Sequence, residues 1–165
     1  MRFQLDQRFT APPTAVARAF ADPALYEAYA GLPKMTPPEV LGVDVQGDIV
    51  TLRIRYRFDG DLSPAARAVI DPARLTWVEH AEHDLAALTT TFRMVPDHYG
   101  DRFRCSGSYR FAPDGAGTIR RCEGDVKVKA LLVGGAVEGA IVSGLKEHLV
   151  DEVPVVESFV ADRYR

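Results

Sequence analysis

The chain has 165 residues, of which 47% are hydrophobic and 26% are charged, the composition of a soluble globular protein rather than a disordered one. Its 20 basic and 23 acidic side chains leave a formal charge of −3, which argues against a general polyanion-binding surface. This length predicts one domain, residues 1–165, with one sizeable core. There is no apolar run of signal-peptide or transmembrane type, and 2 cysteines are too few for a disulfide framework. We therefore expect a reduced, cytoplasmic, soluble protein.

The N-terminal segment predicts one strand followed by two short helices. Apolar and polar residues alternate over residues 3–9, which is typical of a half-buried strand. Thr10 is a candidate cap for a first helix that opens on the prolines after it. The pair Asp22 and Pro23 marks the start of a second helix of about two turns. Three prolines in residues 32–38 then predict irregular structure.

The next segment predicts a β-hairpin with one dry and one wet face. Its arms are residues 40–45 and 49–58, joined by a turn at 46–48. In the second arm, apolar side chains alternate strictly with threonine and arginine, so all the arginines share one side. This pattern is typical of an antiparallel sheet with one face on the core and a basic face in water.

Four more strands are predicted after a short helical turn at residues 63–70. Gly107 and Gly124 fall inside the strand patterns and predict bends or bulges in a curved sheet. The segment Pro113-Asp114-Gly115 predicts the turn of the last hairpin. The predicted strands are residues 75–83, 88–95, 102–111 and 118–130.

The C-terminal segment, residues 135–164, predicts one long helix. Apolar residues recur at helical spacing from Val137 to Val160. The helix would be roughly 40 Å long, and Pro154 is expected to kink it. One strand, two short helices, about six antiparallel strands and a long helix make an α+β protein. The long helix must bury its apolar stripe, and the apolar sheet face is the available partner.

The residues leading into this helix carry a specific resemblance. They are GDVKVK at 124–129, LVGG at 132–135 and the pair Val137-Glu138. Together with the element order, they resemble an uncharacterised bacterial family of the START-like helix-grip superfamily, which includes lipid-transfer domains, plant pollen allergens and polyketide cyclases. The resemblance covers nearly the whole chain. It implies about seven curved antiparallel strands wrapped around the long C-terminal helix, with a cavity between them.

The function implied by this resemblance is binding of a small hydrophobic ligand, lipid or polyketide-like, by a carrier or sensor. We favour this binding module over an enzyme. Plain core packing remains the alternative for each candidate wall residue, and Trp77 and Phe92 are assigned to the inner face by strand parity alone. Small residues at 136, 139, 140 and 143 indicate either close approach of the helix to the sheet or room for a ligand. The predicted ligand-binding residues are Leu52, Ile54, Tyr56, Trp77, Phe92, Tyr109, Ile141 and Leu145.

Polar residues at the same wall leave a cyclase- or hydratase-like enzyme as the alternative. If Trp77 faces inward, Glu79 and His83 do so too, and with Tyr109 they are weak candidates for acid/base catalysis. A solvated strand end explains the first two equally well. His80 and His83 point to opposite faces of a strand, so no metal site is expected.

A basic outer sheet face is the third feature. Nucleic-acid binding would need aromatic rings among the arginines, and the alternation puts the rings on the other side. We interpret this face as solvated. The alternative is that the protein is an interaction module that uses this face to bind a partner protein or to contact a membrane surface transiently. The sequence does not predict the oligomeric state. The arginines are Arg53, Arg55, Arg57, Arg102, Arg104 and Arg110.

Three smaller expectations complete the prediction. Cys105 and Cys122 lie opposite each other if the last hairpin centres on Pro113-Asp114, whereas a longer loop separates them; in either case we expect two buried thiols. His148, beside the helix stripe, is interpreted as a boundary residue. The sequence contains no nucleophile elbow, phosphate-binding glycine loop or dinucleotide fingerprint, so no cofactor is expected.

Overall fold

A computed structural model describes residues 1–62, 64–68, 71–130 and 134–164, without the side chains of Ala65 and Ala66. In this part of the chain, seven strands and four helices follow one another. Short 3-10 turns follow α2, at Tyr29–Gly31, and precede β4, at Pro72–Arg74. In chain order the elements are β1 (Arg2–Phe9), α1 (Pro13–Ala21), α2 (Pro23–Ala28), β2 (Glu39–Gln46), β3 (Ile49–Arg57), α3 (Pro64–Arg67), β4 (Thr76–Asp84), β5 (Thr89–Pro96), β6 (Phe103–Asp114), β7 (Gly117–Val128) and α4 (Gly134–Arg163).

The strands form one antiparallel sheet in the order β1-β7-β6-β5-β4-β3-β2. Strands β2 to β7 pair with their neighbours in sequence, whereas β1 pairs with β7 from the other end of the chain. Gly47 has a φ of +62°, which suits the two-residue turn between β2 and β3. The predicted α+β helix-grip architecture is confirmed.

The long helix α4 lies near one side of the concave sheet face. Its main backbone contacts are with β1 and β7 and with helices α1 and α2. The two small helices in turn contact β2, β3 and β6. The core therefore lies between the sheet and these helices, with Leu25, Leu52, Ile54 and Val156 completely buried. Each such side chain contributes roughly 1.5–3 kcal/mol of burial free energy.

The predicted helix caps have opposite outcomes. Asp22 caps α2 as predicted, because its side chain accepts a 2.9 Å hydrogen bond from the Ala24 amide. The prediction for Thr10 was wrong, since α1 begins directly after Pro12, which provides no side-chain cap. The Thr10 hydroxyl instead donates a 2.7 Å hydrogen bond to Glu157 of α4. This residue therefore fastens the end of β1 to the long helix.

The hairpin of β6 and β7 turns at residues 115–116, later than the sequence predicted. With this register Cys105 pairs with Val126, and Cys122 pairs with Tyr109. The two thiols are therefore not opposite each other. Both are buried and free, which is the predicted state.

Gly107 and Gly124 pair directly with each other across the same hairpin. The register is continuous there, so the bulge predicted as one of two possibilities is absent from this pair. A Cβ on Gly107 would lie 2.2 Å from the Glu123 carbonyl oxygen, and one on Gly124 would lie 2.6 Å from a Phe3 ring carbon. Close approach of neighbouring atoms therefore explains why both positions are glycine.

Some predictions fall partly outside the described residues. The helical turn expected at 63–70 is present as α3, but Ser63, Val69 and Ile70 are outside the described part, as are residues 131–133 before α4. Pro154 lies inside α4, and the kink expected there stays a prediction. Among the helices in the described ranges, none has the length and apolar character needed to cross a membrane.

Candidate functional site

The concave sheet face brings together the aromatic residues that the sequence assigned to a pocket wall. Tyr56 and Trp77 are register partners, and their rings stack with centroids 5.8 Å apart. The Phe92 and Tyr109 rings lie 5.0 Å apart on the neighbouring strands. Trp77 therefore lies on the same face as Tyr56, as strand parity indicated. The two remaining sheet candidates, Leu52 and Ile54, are fully buried on that face.

The middle of α4 does not close this face. Between Val137 and Leu149, a stretch that the structure describes completely, no residue of the helix is buried. Ile141 and Leu145, the two helix candidates, touch the core but remain half-exposed. Facing strand residues such as Trp77 are also half-exposed, although they are on the concave side. Helix and sheet therefore pack tightly at the two ends of this stretch and loosely between them.

The small residues of α4 do not explain this loose packing. Ala136, Ala140 and Ser143 are exposed on the solvent side of the helix. A Cβ on Gly139 would first meet the Met1 methyl group, at 3.9 Å. The interpretation of close helix–sheet approach is therefore wrong for this stripe, and its solvent-facing members do not provide room for a ligand either.

Glu79 places an acid on the same wall. Its register partners on either side are Ile54 and Met94, so its nearest neighbours across the strands are apolar. Burial raises the pKa of the Glu79 carboxyl to about 7, an effect that Arg120 opposes and Glu152 reinforces. It makes no hydrogen bond or ion pair with the described residues, and part of its side chain stays accessible. Such a group can give or take a proton near neutral pH.

His83 is buried and neutral on this wall. Burial, reinforced by the charge of Arg120, lowers the pKa of the imidazole to about 3. Its Nδ1 lies 2.9 Å from the Thr90 hydroxyl, and within the described part of the chain its Nε2 has no hydrogen-bond partner. His80 lies on the outer face, 3.4 Å from an Arg93 nitrogen, as the strand alternation predicted. No group of three or more potential metal ligands occurs among the described side chains.

A buried polar cluster, which the sequence analysis missed, lies where β1 and β7 meet α4. Its centre is the ion pair between Arg120 and Glu152, whose atoms approach to 2.9 Å. Arg120 also donates to the Gln7 side chain at 2.6 Å, and the Tyr29 hydroxyl donates to Glu152 at 2.9 Å. His148 Nε2 lies 3.6 Å from the same carboxylate, but its side chain is 21% exposed, so this residue lies at the solvent boundary beside the cluster. We call Arg120, Glu152, Gln7 and Tyr29 the buried polar cluster.

Aromatic rings cover the charge at the centre of this cluster. The Arg120 guanidinium carbon lies 3.6 Å from the ring centroids of both Phe20 and Tyr109. Stacking on two rings suits a planar, weakly hydrated guanidinium. Tyr109, a candidate acid/base residue by sequence, is therefore packed against a cation, and burial raises the pKa of its hydroxyl well above the usual value.

The missed residues had a signal in the sequence. Gln7 lies on the side of β1 that otherwise carries apolar residues, and Arg120 lies between buried Thr118 and Cys122 on β7. Glu152 interrupts the apolar stripe of α4. A polar residue at a position where the pattern requires an apolar one indicates a buried, paired group. The pattern does not say which residue is the partner.

All six predicted arginines are exposed, and five of them lie on strands of the outer face. Arg102 precedes β6 rather than lying on a strand, which differs from the prediction. Arg55 forms an ion pair with Asp97 at 3.5 Å.

Two shallow surface depressions have volumes of about 420 and 400 Å³ and are lined entirely by described residues. Both lie away from the concave wall, one beside the end of α4 and the other beside β1.

A family model matches most of the chain. Residues 4–160 match the family described as "Protein of unknown function (DUF2505)". The chain belongs to this family. No curated protein sequence matches the chain. The prediction that the chain belongs to an uncharacterised family is therefore confirmed.

Solved structures show which fold this family member has. TTHA0849 from Thermus thermophilus is 20% identical with a TM-score of 0.71, and each chain covers 100% of the other. Zhui aromatase/cyclase from Streptomyces sp. R1128 is 16% identical with a TM-score of 0.66, over 100% of this chain and 96% of that one. Norcoclaurine synthase from Thalictrum flavum is 15% identical with a TM-score of 0.68, over 99% and 87%. At identities this low the likenesses establish the fold alone, and that fold is the predicted helix-grip fold.

Proposed function

We propose that this DUF2505 family member binds a small, largely apolar molecule between α4 and the concave faces of β3, β4 and β5, as a carrier or sensor. The observation that carries the proposal is the loose packing of the middle of α4 against the sheet. Val137 and Leu149 are buried, but no residue of the helix between them is, although the apolar side chains of Ile141 and Leu145 touch the core. A soluble protein gains by covering apolar surface of this kind, and a guest molecule can cover it.

The free energy available from such a guest is substantial. Covering about 300 Å² of its apolar surface contributes roughly 7 kcal/mol before the costs of ordering are subtracted. The wall provides the stacked rings of Tyr56 and Trp77 and the adjacent pair of Phe92 and Tyr109. Rigid aromatic walls hold apolar molecules with little loss of side-chain entropy. Two structural neighbours are named as an aromatase/cyclase and a synthase, which supports small-molecule binding on this fold.

Native mass spectrometry of freshly purified protein tests the proposal directly. We expect a second population heavier than the bare chain by the mass of one small molecule, released by a short organic extraction. The bare mass alone, together with failure of the binding assay described next, would overturn the proposal.

Binding can be followed by the fluorescence of Trp77, because this residue is the single tryptophan of the chain and lies on the proposed wall. The uncharged apolar dye N-phenyl-1-naphthylamine serves as the probe. Leu145→Phe enlarges a half-exposed side chain facing the site and should weaken dye binding about tenfold. Val150→Phe, at a position 63% exposed on the same helix, is the matched control and should change little. Equal loss in both variants would contradict the assignment of the site.

Glu79 favours a second candidate function, acid/base catalysis on the bound molecule. Its pKa of about 7 on an apolar wall is the property expected of a general acid or base. A cyclase- or hydratase-like reaction would use it with His83 or Tyr109. The experiment is incubation of the recovered guest with wild-type protein and with Glu79→Gln. Chemical change that needs Glu79 supports the enzyme, whereas an unchanged guest supports the carrier.

A further inference from the structure

Glu79 is a carboxylate without a counter-ion. It makes no ion pair with any described residue, although the Arg120 charge is near enough to influence its pKa. In the buried polar cluster, Arg120 forms an ion pair with Glu152 and donates a hydrogen bond to Gln7. Glu79 is therefore left facing the proposed ligand space with an acceptor group and apolar neighbours. An unpaired carboxylate there is costly, and a cation would remove that cost.

The rings next to Glu79 favour a cation as well. Trp77 is two residues away on the same strand face, which places it roughly 7 Å along β4. Its ring stacks on Tyr56 with an angle of 18° between the planes. Aromatic faces attract ammonium groups, and this attraction is strongest where water is excluded. Tyr56 is buried beneath this stack and Trp77 is half-exposed, so a carboxylate beside the Trp77 ring is a combination suited to a protonated amine.

We propose that the bound molecule is an amphiphilic organic cation, with its ammonium group at Glu79 and the Tyr56–Trp77 rings and its apolar body along Ile141 and Leu145. This inference rests on the proposed function and specifies its ligand class. An anionic head group would be repelled by ionised Glu79. A neutral head group can form a hydrogen bond with Glu79 but leaves the charge of the carboxylate uncompensated.

Binding of the cation is coupled to the proton on Glu79. With a pKa of about 7, this residue is largely protonated below neutral pH, and an arriving ammonium group expels the proton. Amine affinity should therefore rise with pH up to about pH 8. Several other titratable or charged groups interact electrostatically with Glu79. Each of them keeps its charge between neutral pH and about pH 8, or belongs to the Arg120–Glu152 ion pair. They are Tyr26 of α2, Tyr56 of β3, Cys105 and Tyr109 of β6, Arg120 and Cys122 of β7, and Glu152 of α4.

Three probes with one tail separate the head-group preference from apolar binding. They are octylammonium, 1-octanol and octanoate, each titrated below its micellar concentration while Trp77 fluorescence is recorded near pH 8. We expect octylammonium to bind about tenfold more tightly than octanol, and octanoate to bind most weakly. Glu79→Gln should remove the amine preference but keep octanol affinity within about twofold. Glu82→Gln, on the exposed outer face of the same strand, is the control and should behave as wild type.

The outcomes distinguish the two levels of the proposal. Octanol binding with no amine preference, or an amine preference that survives Glu79→Gln, overturns the cation proposal and leaves the apolar site standing. Failure of all three probes, with no co-purified molecule in the native mass spectrum, overturns both. Retained octanol binding by Glu79→Gln also shows that this variant is folded.

Discussion

Arg120 on β7 and Glu152 on α4 form an ion pair of 2.9 Å with side chains only 6% and 5% exposed. The pair connects the long helix to the strand that β1 joins from the other end of the chain. Gln7 bridges the two by donating to Glu152 at 2.8 Å and to the Leu149 carbonyl at 2.6 Å. The polar cluster thus holds the C-terminal half of α4 on the sheet, while the preceding stretch of the helix remains loosely packed.

The first prediction concerns this pair. Glu152→Ala leaves a buried guanidinium without its counter-ion, and we expect the free energy of unfolding to fall by about 3–5 kcal/mol. Urea denaturation followed by circular dichroism measures the change. Glu147→Ala is the control, because Glu147 is an exposed residue of the same helix whose ion pair with Lys34 lies in water. A double-mutant cycle with Arg120→Met should give a coupling energy above about 1 kcal/mol. Additive effects would show that the two side chains do not stabilise each other.

The second prediction concerns the pH dependence caused by Glu79. Its folded pKa of about 7 exceeds its unfolded value, so the folded state binds the proton more strongly and loses relative stability as pH rises from about 4.5 to about 7. Glu79→Gln cannot ionise and should be more stable than wild type near pH 8, by on the order of 2 kcal/mol, with the gap closing near pH 4. Denaturation at several pH values measures the difference between the two proteins. A gap that is independent of pH, or one shared by Glu82→Gln, would refute the assignment.

The third prediction concerns His83. Its folded pKa of about 3 lies below the unfolded value, so its ring stays neutral in the folded protein and contributes to loss of stability as pH falls from about 6.5 toward 3. NMR of the ring carbons should show no titration of His83 between about pH 8 and pH 5. A ring that titrates with a midpoint near 6.5 would mean that His83 is hydrated and not packed beside Thr90.

The fourth prediction concerns Gly107. A methyl group there would lie 2.2 Å from the Glu123 carbonyl oxygen and 2.9 Å from a Phe92 ring carbon. The backbone of β7 must move to admit it, so Gly107→Ala should destabilise the protein by at least about 2 kcal/mol. Gly100→Ala, where a Cβ meets nothing within 4 Å, is the control and should change thermal stability little. Similar melting temperatures for both variants would contradict the close approach of the two strands.

The fifth prediction concerns the thiols. Burial raises the pKa of Cys105 to about 12 and that of Cys122 to about 11. Thiolate is the reactive form, so iodoacetamide near pH 8 should alkylate the native protein far more slowly than the protein in urea. Mass spectrometry counts the labels. Rapid labelling of either cysteine in the native protein would show that its strand opens readily.

Local patterns in the sequence were sufficient for the elements and their faces. Alternation identified the wall that carries Trp77 and Glu79, and Asp22 with Pro23 marked the start of α2. Helical spacing located α4 almost to the residue. These features depend on neighbours a few positions away, because side chains alternate along a strand and recur every three or four residues along a helix. The turn of the last hairpin lies about two residues later than the sequence pattern predicted, and this shift separates Cys105 from Cys122.

The partners and the protonation states were decided by the tertiary structure. Nothing near Arg120 in sequence indicates that its counter-ion is Glu152, since parity assigns a side chain to a face without naming what faces it. The pKa of Glu79 depends on apolar atoms contributed by distant strands and helices, and so does the neutrality of His83. How far α4 stands from the sheet between Val137 and Leu149 is likewise a property of the packed chain, because it results from contacts at both ends of that stretch.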